Sequence, residues 1–249
     1  MNQSTASHFV WADLATADPA GSRAFYSDLF GWMAEPDEAF GGYAIGRLEG
    51  KDVAGIGPTQ MPGQPTAWSV YLGTADADGL AVQVTAAGGT VIVPPFAVGP
   101  MGRMVVFQDP IGAFISAWEP ALMPGFTASG PGAVAWTELN ARGLESGLGF
   151  YTSVFGWTAR QSPVAESGYV EFMDGDVSLA GAMEMPPMVP AEVPSYWQIY
   201  FGVTDIDATH SAAIDLGAHE IHPPTDFGGG RFSILSDPQM APFGLLQMG

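Results

Sequence analysis

Alternating and helical patterns of apolar residues follow one another along the chain, beginning at residue 9. The bulky run 9–14 suits a β-strand, and strict alternation places Trp11 and Asp13 on the same face of it. Asp18-Pro19 is typical of an N-cap followed by proline in the first helical turn, and the apolar stripe after it ends at Gly31. The pattern predicts a strand and then a helix.

Three strand-like runs follow this helix, and the same order of elements then returns. The runs begin at Trp32, Tyr43 and Val53, and a break rich in proline and glycine comes after them, at 58–65. A strand, a helix and three more strands are predicted beyond the break, at 68–72, at 76–87, near 91, at 104–108 and at 114–118. The pattern in the first half of the chain therefore predicts two βαβββ modules of about 60 residues each.

The second half of the chain repeats the first. The run 25–32, FYSDLFGW, recurs as FYTSVFGW at 150–157, 125 positions later, and matches such as Trp11 with Trp136 keep the same offset. An offset that drifts by only a few residues between such anchors indicates a duplicated domain. The aromatic residues of both runs have helical spacing, so we interpret them as core that fixes a helix on a sheet.

A segment rich in proline, glycine and serine separates the two copies. We predict a first domain at 1–120, a linker at 121–132 and a second domain at 133–249, with two βαβββ modules in each domain. The chain has 249 residues, of which 47% are hydrophobic, and this is enough to bury two cores.

Charge and composition exclude several classes of partner. The formal net charge of −19 repels nucleic acid phosphates and anionic membrane surfaces, so we expect neither as a partner. No apolar run approaches the roughly 20 residues of a membrane-spanning helix, and residues 1–5 lack the character of a secretory leader. We therefore expect a cytoplasmic protein. The absence of cysteine agrees with this and excludes thiolate metal sites.

Motifs in the predicted elements are similar to those of a known family. Each copy ends its first helix with Phe-Gly-Trp and has an Asp-Pro turn before its terminal strand, and the first of these turns continues as DPIGA at 109–113. With its four βαβββ modules, the chain resembles the vicinal oxygen chelate superfamily of glyoxalase I, bleomycin-resistance proteins and extradiol dioxygenases, from residue 8 to residue 248. The resemblance implies an α+β fold in which two modules curl one mixed sheet around a cup.

The resemblance also implies positions for a metal site, and this chain departs from the family at each of them. Catalytic members ligate a divalent metal through His or Gln on the first strand, His on the strand that opens the second module, and Glu on terminal strands. The corresponding positions hold Trp11, Ser69 and Ser116 in the first domain and Trp136, Gln198 and Leu245 in the second. Because an indole nitrogen only donates, we expect no metal and no other cofactor.

The histidines do not restore a metal site. At strand spacing His219 and His222 point to opposite faces, whereas a metalloprotease motif needs two histidines one helical turn apart. We interpret 219–222 as a strand that faces solvent, and His210 as a helical residue that is exposed or near a domain contact.

Aromatic residues with a few polar neighbours replace the metal ligands. We expect one cup lined by Trp11, Ser69, Tyr71 and Trp118, another lined by Trp136, Gln198, Tyr200 and Gln247, and Tyr43 and Tyr169 near mid-strand. Such walls suit an aromatic or apolar small molecule. An arginine occupies the equivalent position in each copy, Arg103 in the first and Arg231 in the second. Each either holds a substrate oxyanion at a cup rim or forms a salt bridge to a nearby acid.

Asp13 and Glu138 come two residues after the tryptophans and hence lie on the same inward face. A carboxylate beside an indole in a partly dry cup is a candidate general base, and the alternative is a salt-bridged or solvated residue at a strand end. Three functions stay open. They are a metal-free binder of an aromatic or polyketide-like molecule, a metal-free isomerase, dehydratase or cyclase, and, third, a metal-dependent glyoxalase or dioxygenase. We expect a monomer or a homodimer.

Overall fold

The computed structural model describes residues 8–164 and 168–249, so the prediction for residues 1–5 lies outside it. The first half contains β1 (Phe9–Thr16), α1 (Pro19–Phe30), β2 (Pro36–Asp37), a 3₁₀ turn (Glu38–Phe40), β3 (Tyr43–Leu48), β4 (Lys51–Pro58), β5 (Ala67–Gly73), α2 (Ala77–Ala86), β6 (Thr90–Val98), β7 (Gly102–Gln108) and β8 (Phe114–Pro120). The second half contains β9 (Val134–Ala141), α3 (Leu144–Phe155), β10 (Thr158–Gln161), β11 (Val170–Asp174), β12 (Val177–Glu184), β13 (Tyr196–Gly202), α4 (Ile206–Asp215), β14 (His219–Phe227), β15 (Gly230–Ser236) and β16 (Pro242–Met248). None of the helices in the described ranges has the length and apolar character that crossing a membrane requires.

Each half of the chain forms one eight-stranded mixed sheet with the same strand order. That order is β2-β3-β4-β1-β5-β8-β7-β6 in the first half and β10-β11-β12-β9-β13-β16-β15-β14 in the second. The inner pairs β1–β4 and β5–β8 are parallel, and the outer pairs of the same sheet are antiparallel. The predicted α+β class, with duplicated domains that carry curled mixed sheets, is confirmed.

The chain also divides into two compact units, which do not follow the two halves of the sequence. The first unit consists of Met1–Val10, Val70–Gly125 and Thr137–Trp197, and the second consists of Trp11–Ser69, Phe126–Trp136 and Gln198–Gly249. Each unit therefore takes most of one βαβββ module from each half. The domain boundary at 121–132 stays a prediction.

A buried tyrosine, Tyr26, ties two modules of the second unit together. Its hydroxyl accepts a hydrogen bond from Trp68 Nε1 (3.0 Å) and donates one to Asp237 Oδ2 (3.2 Å), and its ring stacks on Trp32. Burial and the charge of Asp237 raise the pKa of Tyr26 well above its ordinary value, so the hydroxyl keeps its proton. The aromatic run of α1 is core, as its helical spacing predicts.

Tyr151 makes the same arrangement in the first unit. Its hydroxyl accepts from Trp197 Nε1 (2.8 Å) and donates to Asp109 Oδ2 (2.9 Å). The other oxygen of Asp109 accepts from the backbone amide of Ala113 (2.8 Å), which closes the Asp-Pro turn. Burial raises the pKa of Asp109 above its ordinary value even though these hydrogen bonds oppose the shift. The two Asp-Pro turns are therefore buried anchors for a helix of another module.

Removing the Tyr151 hydroxyl should lower the free energy of unfolding by about 1–3 kcal/mol, because one oxygen of the buried Asp109 then loses its donor. Equilibrium urea unfolding of Tyr151→Phe measures the change. Ser153→Ala, at an exposed position of the same helix, is the control. A loss below about 0.5 kcal/mol, the usual effect of a surface substitution, contradicts the anchoring role.

Candidate functional site

A chain of hydrogen-bonded side chains occupies one face of β1 in the second unit. Trp11 Nε1 donates to the Tyr43 hydroxyl (2.9 Å), and this hydroxyl donates to Asp13 Oδ2 (3.4 Å). Asp13 lies opposite Gly55 on β4, and the Tyr43 ring fills the space that a side chain at Gly55 would need. Burial and the charge of Asp13 raise the pKa of Tyr43 well above its ordinary value. Tyr43 therefore stays protonated as the donor to Asp13.

Trp11 is buried at the start of this hydrogen-bonded series. The residue is only 3% exposed, and the centroid of its ring lies 5.6 Å from that of the Phe126 ring. Phe126 comes from the glycine- and proline-rich segment between the halves, and no motif pointed to it. The contact of Trp11 and Tyr43 with a ligand stays a prediction.

Glu138 lies on β9 in the first unit, and it is almost fully buried. Its Oε1 accepts a hydrogen bond from Asn140 Nδ2 (3.0 Å). Burial, and after it the negative charge of Glu138, raises the pKa of Tyr196. Asn140 is two residues beyond Glu138 on the same strand, so the alternation that selected Glu138 was also a signal for Asn140.

A second carboxylate, that of Glu171, faces the same side of this sheet. Glu138 lies opposite Gly181 on β12, and Gly181 lies opposite Glu171 on β11, so only a glycine separates them. Glu171 accepts from Arg160 Nη2 (2.9 Å) and Ser178 Oγ (3.0 Å). Burial alone raises the pKa of Glu171, but hydrogen bonds from Ser162, Arg160 and Ser178 hold it below its ordinary value. Glu171 is therefore an ionised neighbour of Glu138.

Tyr71 and Trp118 share one face of β5 and β8 in the first unit. Tyr71 lies opposite Ser116, Gly73 lies opposite Trp118, and Trp118 Nε1 donates to the carbonyl of Met123 (2.8 Å). The next two strands add four apolar residues to this face: Val93, Phe96, Met104 and Val106. The face thus combines aromatic and aliphatic side chains with the hydroxyls of Tyr71 and Ser116.

The equivalent face of β13 to β16 carries, in the second unit, Gln198 and Tyr200 but not Gln247. The Tyr200 ring lies over Gly244, whose missing side chain makes room for it. Gln247 follows Leu246 and points to the opposite face, where its Oε1 accepts from the backbone amide of Ile206 (2.9 Å) at the start of α4. The prediction that Gln247 lines a cup is therefore wrong.

Arg103 and Arg231 each bind acidic residues at the start of a helix. Arg103 contacts Asp78 (2.9 Å) in the first turn of α2 and also Glu119 (3.3 Å). Arg231 contacts Asp226 (2.8 Å) and Asp207, in the first turn of α4. Hydrogen bonds from the arginines lower the pKa values of Asp78 and Asp207. The salt-bridge alternative is thus observed, and a ligand role for either arginine stays a prediction.

Three further predicted residues are half-buried. Ser69 and Trp136 lie in the second unit, and Tyr169 lies in the first, just before β11. Trp136 and Tyr169 both interact with neighbouring groups. Their contacts with a ligand, like those of Tyr71, Trp118, Gln198 and Tyr200, stay predictions.

The donors at the family's ligand positions do not fit a divalent metal. Trp11 uses its only polar atom to donate to Tyr43, and an indole nitrogen has no lone pair for a metal. Within 8–164 and 168–249, no three His, Asp or Glu residues are grouped so as to hold a metal ion. Of the two alternatives for His210, exposure is wrong, because the residue is buried and its ring nitrogens face Ser233 Oγ (3.2 Å) and Glu220 Oε2 (3.0 Å).

Sequence comparisons match the chain over nearly its whole length. The model of the glyoxalase-like domain matches residues 136–246. A Mycobacterium tuberculosis protein named "Putative glyoxylase CFP32" is 37% identical over 248 residues, which cover 95% of this chain and 93% of that protein. The anthracycline biosynthesis protein DnrV of Streptomyces peucetius is 35% identical over 256 residues, which cover 96% of this chain and 92% of that protein.

Solved structures share the fold at much lower identity. The Mn(II)-bound glyoxalase from Novosphingobium aromaticivorans has a TM-score of 0.69 at 16% identity and covers 98% of this chain and 83% of its own. The 2,3-dioxygenase LapB from a Pseudomonas species has a TM-score of 0.68 at 15% identity and covers 99% of this chain and 94% of its own. At these identities the likeness concerns the fold alone.

Proposed function

Because the chain belongs to the vicinal oxygen chelate superfamily as a glyoxalase-like protein, we propose that it binds a planar aromatic or polyketide-like small molecule without using a metal ion. The observation that carries the proposal is the use of Trp11. The indole stands where metal-dependent members place their first ligand, and its nitrogen is bonded to Tyr43. An aromatic wall with a few oriented polar groups suits a flat ligand held by stacking and one or two hydrogen bonds.

The relatives support the class of ligand. DnrV is named an anthracycline biosynthesis protein, and its similarity extends over 96% of this chain. A planar polyketide of this kind offers apolar ring faces with polar groups at the edges. The faces around Tyr71 and Trp118 in the first unit, and around Tyr200 in the second, have the matching chemistry.

Trp136→Ala should weaken the binding of a planar aromatic probe such as anthraquinone by about ten- to a hundredfold, because one stacking surface is lost, at roughly 1–3 kcal/mol. Quenching of tryptophan fluorescence measures the affinity. Phe114→Ala, at an aromatic residue that is 57% exposed, is the control. Unchanged affinity in Trp136→Ala would place the ligand elsewhere.

Elemental analysis of the same samples should find no stoichiometric metal. One bound metal ion per chain, lost on chelation together with ligand binding, would overturn the metal-free proposal.

A second candidate function is a metal-free enzyme, and the burial of Glu138 favours it. Glu138 is 6% exposed, accepts from Asn140 and lies on the same face as Glu171. A buried carboxylate of this kind has the setting of a general base for isomerisation, dehydration or cyclisation. Asp13, with Tyr43 as its donor, is the corresponding candidate in the second unit.

A further inference from the structure

One face of β14, β15, β16 and the part of β13 from Gln198 onward, all within the second unit, is lined by aromatic rings. Register places Tyr200, Gly244, Ile234 and His222 in one row across the four strands. The Tyr200 ring covers Gly244 at one end of this row. At the other end the His222 ring stacks on Phe232, with 5.1 Å between centroids and an interplanar angle of 10°. Rings of this orientation offer surfaces on which a planar molecule packs.

Two buried polar atoms on this face have no hydrogen-bond partner within the described residues. The first is Oε1 of Gln198, which shares the face of Tyr200 because the two residues are two positions apart. Gln198 is only 1% exposed, and its Nε2 is already used to donate to the carbonyl of Ile199 (2.9 Å). The second is Nε2 of His222. Buried polar atoms are nearly always paired, so each exception calls for a partner.

The fold does not require these two polar atoms. The equivalent row in the first unit is Tyr71, Ser116, Val106 and Val93, so valine stands where His222 stands here. Met104 takes the place of Phe232, and serine, Ser69, takes the place of Gln198. The first unit therefore builds the same four-stranded face without a histidine or a glutamine. Gln198 and His222 are thus not needed to form the sheet.

We propose that this face recognises the planar ligand through the polar groups at the ligand's two ends. A hydroxyl or amine of the ligand donates to Gln198 Oε1, and a second polar group meets His222 Nε2, which accepts when the imidazole proton is on Nδ1. Three strand spacings separate β13 from β14, about 14 Å in all, so the ligand is an elongated, fused-ring molecule. The inference rests on the proposed function and adds to it the specificity and the place of the site.

Two probes with the same fused-ring core test the proposal. The first is 2,6-dihydroxyanthraquinone, which has a donor at each end, and the second is 2,6-dimethoxyanthraquinone, which has none. We expect the full-length protein to bind the dihydroxy probe at least about tenfold more tightly. Gln198→Met and His222→Phe should each remove most of this preference, because they keep the packing and delete the acceptor atom. Gln83→Met and His8→Phe, both at exposed positions in the first unit, should leave it unchanged.

Thermal unfolding of the same variants separates recognition from a structural role. If Gln198 serves a ligand, Gln198→Met leaves the Tm of the free protein unchanged or raises it. A fall of more than about 4 °C, which is on the order of a lost structural interaction in a chain of this size, would overturn the proposal. An unchanged preference in both variants would also overturn it and leave the proposed function standing. If the wild type binds neither probe nor anthraquinone, the proposed function fails, and this inference fails with it.

Discussion

Trp11→Ala should lower the free energy of unfolding by about 3–5 kcal/mol, the usual cost of truncating a buried tryptophan. The residue is 3% exposed, its ring packs on Phe126, and its nitrogen supplies the donor to Tyr43. Its loss therefore opens a cavity and releases the chain of hydrogen bonds that leads to Asp13. Equilibrium unfolding in urea, with the slope of the transition compared between variants, measures the change.

Trp11→Phe is the matched control for this experiment. It keeps one aromatic ring against Phe126 but deletes the N–H and part of the indole, so we expect a loss between about 1 kcal/mol, the net value of one hydrogen bond, and the cost of full truncation. Equal losses in the two variants would mean that the atoms missing from both, and not the remaining ring, supply the stabilisation. A loss below about 1 kcal/mol in Trp11→Ala would contradict the burial of this side chain.

Glu138→Gln should lower the turnover of an aromatic substrate by roughly 10²–10⁴-fold and change its binding by less than about threefold. The substitution keeps the shape of the side chain and its contact with Asn140, and it removes the ability to take up a proton. Mass spectrometry of incubations with aromatic and quinone-like metabolites detects mass-neutral or dehydrated products.

Asp13→Asn is the comparison, since Asp13 is half-buried and has Tyr43 rather than Asn140 as its donor. Loss of turnover in only one of the two variants identifies the unit that carries the chemistry. Turnover that survives both substitutions rules out these carboxylates as the base. A protein that binds the metabolites unchanged in all three forms is a binder, as in the first proposal.

Periodicity in the sequence predicted most of the elements, although the strand expected from Trp32 is reduced to the two-residue β2. The helix predicted at 76–87 is observed as Ala77–Ala86, and the strand predicted at 68–72 is observed as Ala67–Gly73. Both patterns are local: one face of α2 is buried and the other is not, and β5, which is buried on both faces at 70–72, is a short run of bulky residues. The duplication was equally visible, since its anchors are large aromatic residues that fill the core.

Register and long-range pairing were not predictable in the same way. Placing Gln247 in the cup as the counterpart of Trp118 assumes an offset of 129, but the offset is 128 before the last strands, where Arg103 matches Arg231. A slip of one residue moves a side chain to the other face of a strand, so Leu246 and not Gln247 corresponds to Trp118. Likewise, Glu171 meets the face of Glu138 only through the pairing of three strands.

The two contacts between tyrosine and aspartate record how the chain arose. In each unit the tyrosine of one half binds the aspartate of the other half, Tyr26 with Asp237 and Tyr151 with Asp109. If each half were a separate chain, its tyrosine and its aspartate would be paired only when two copies came together. We infer that gene duplication fused a symmetric dimer into a single polypeptide. A fused pair of copies can diverge, and the two halves differ where Gln198 and His222 correspond to Ser69 and Val93.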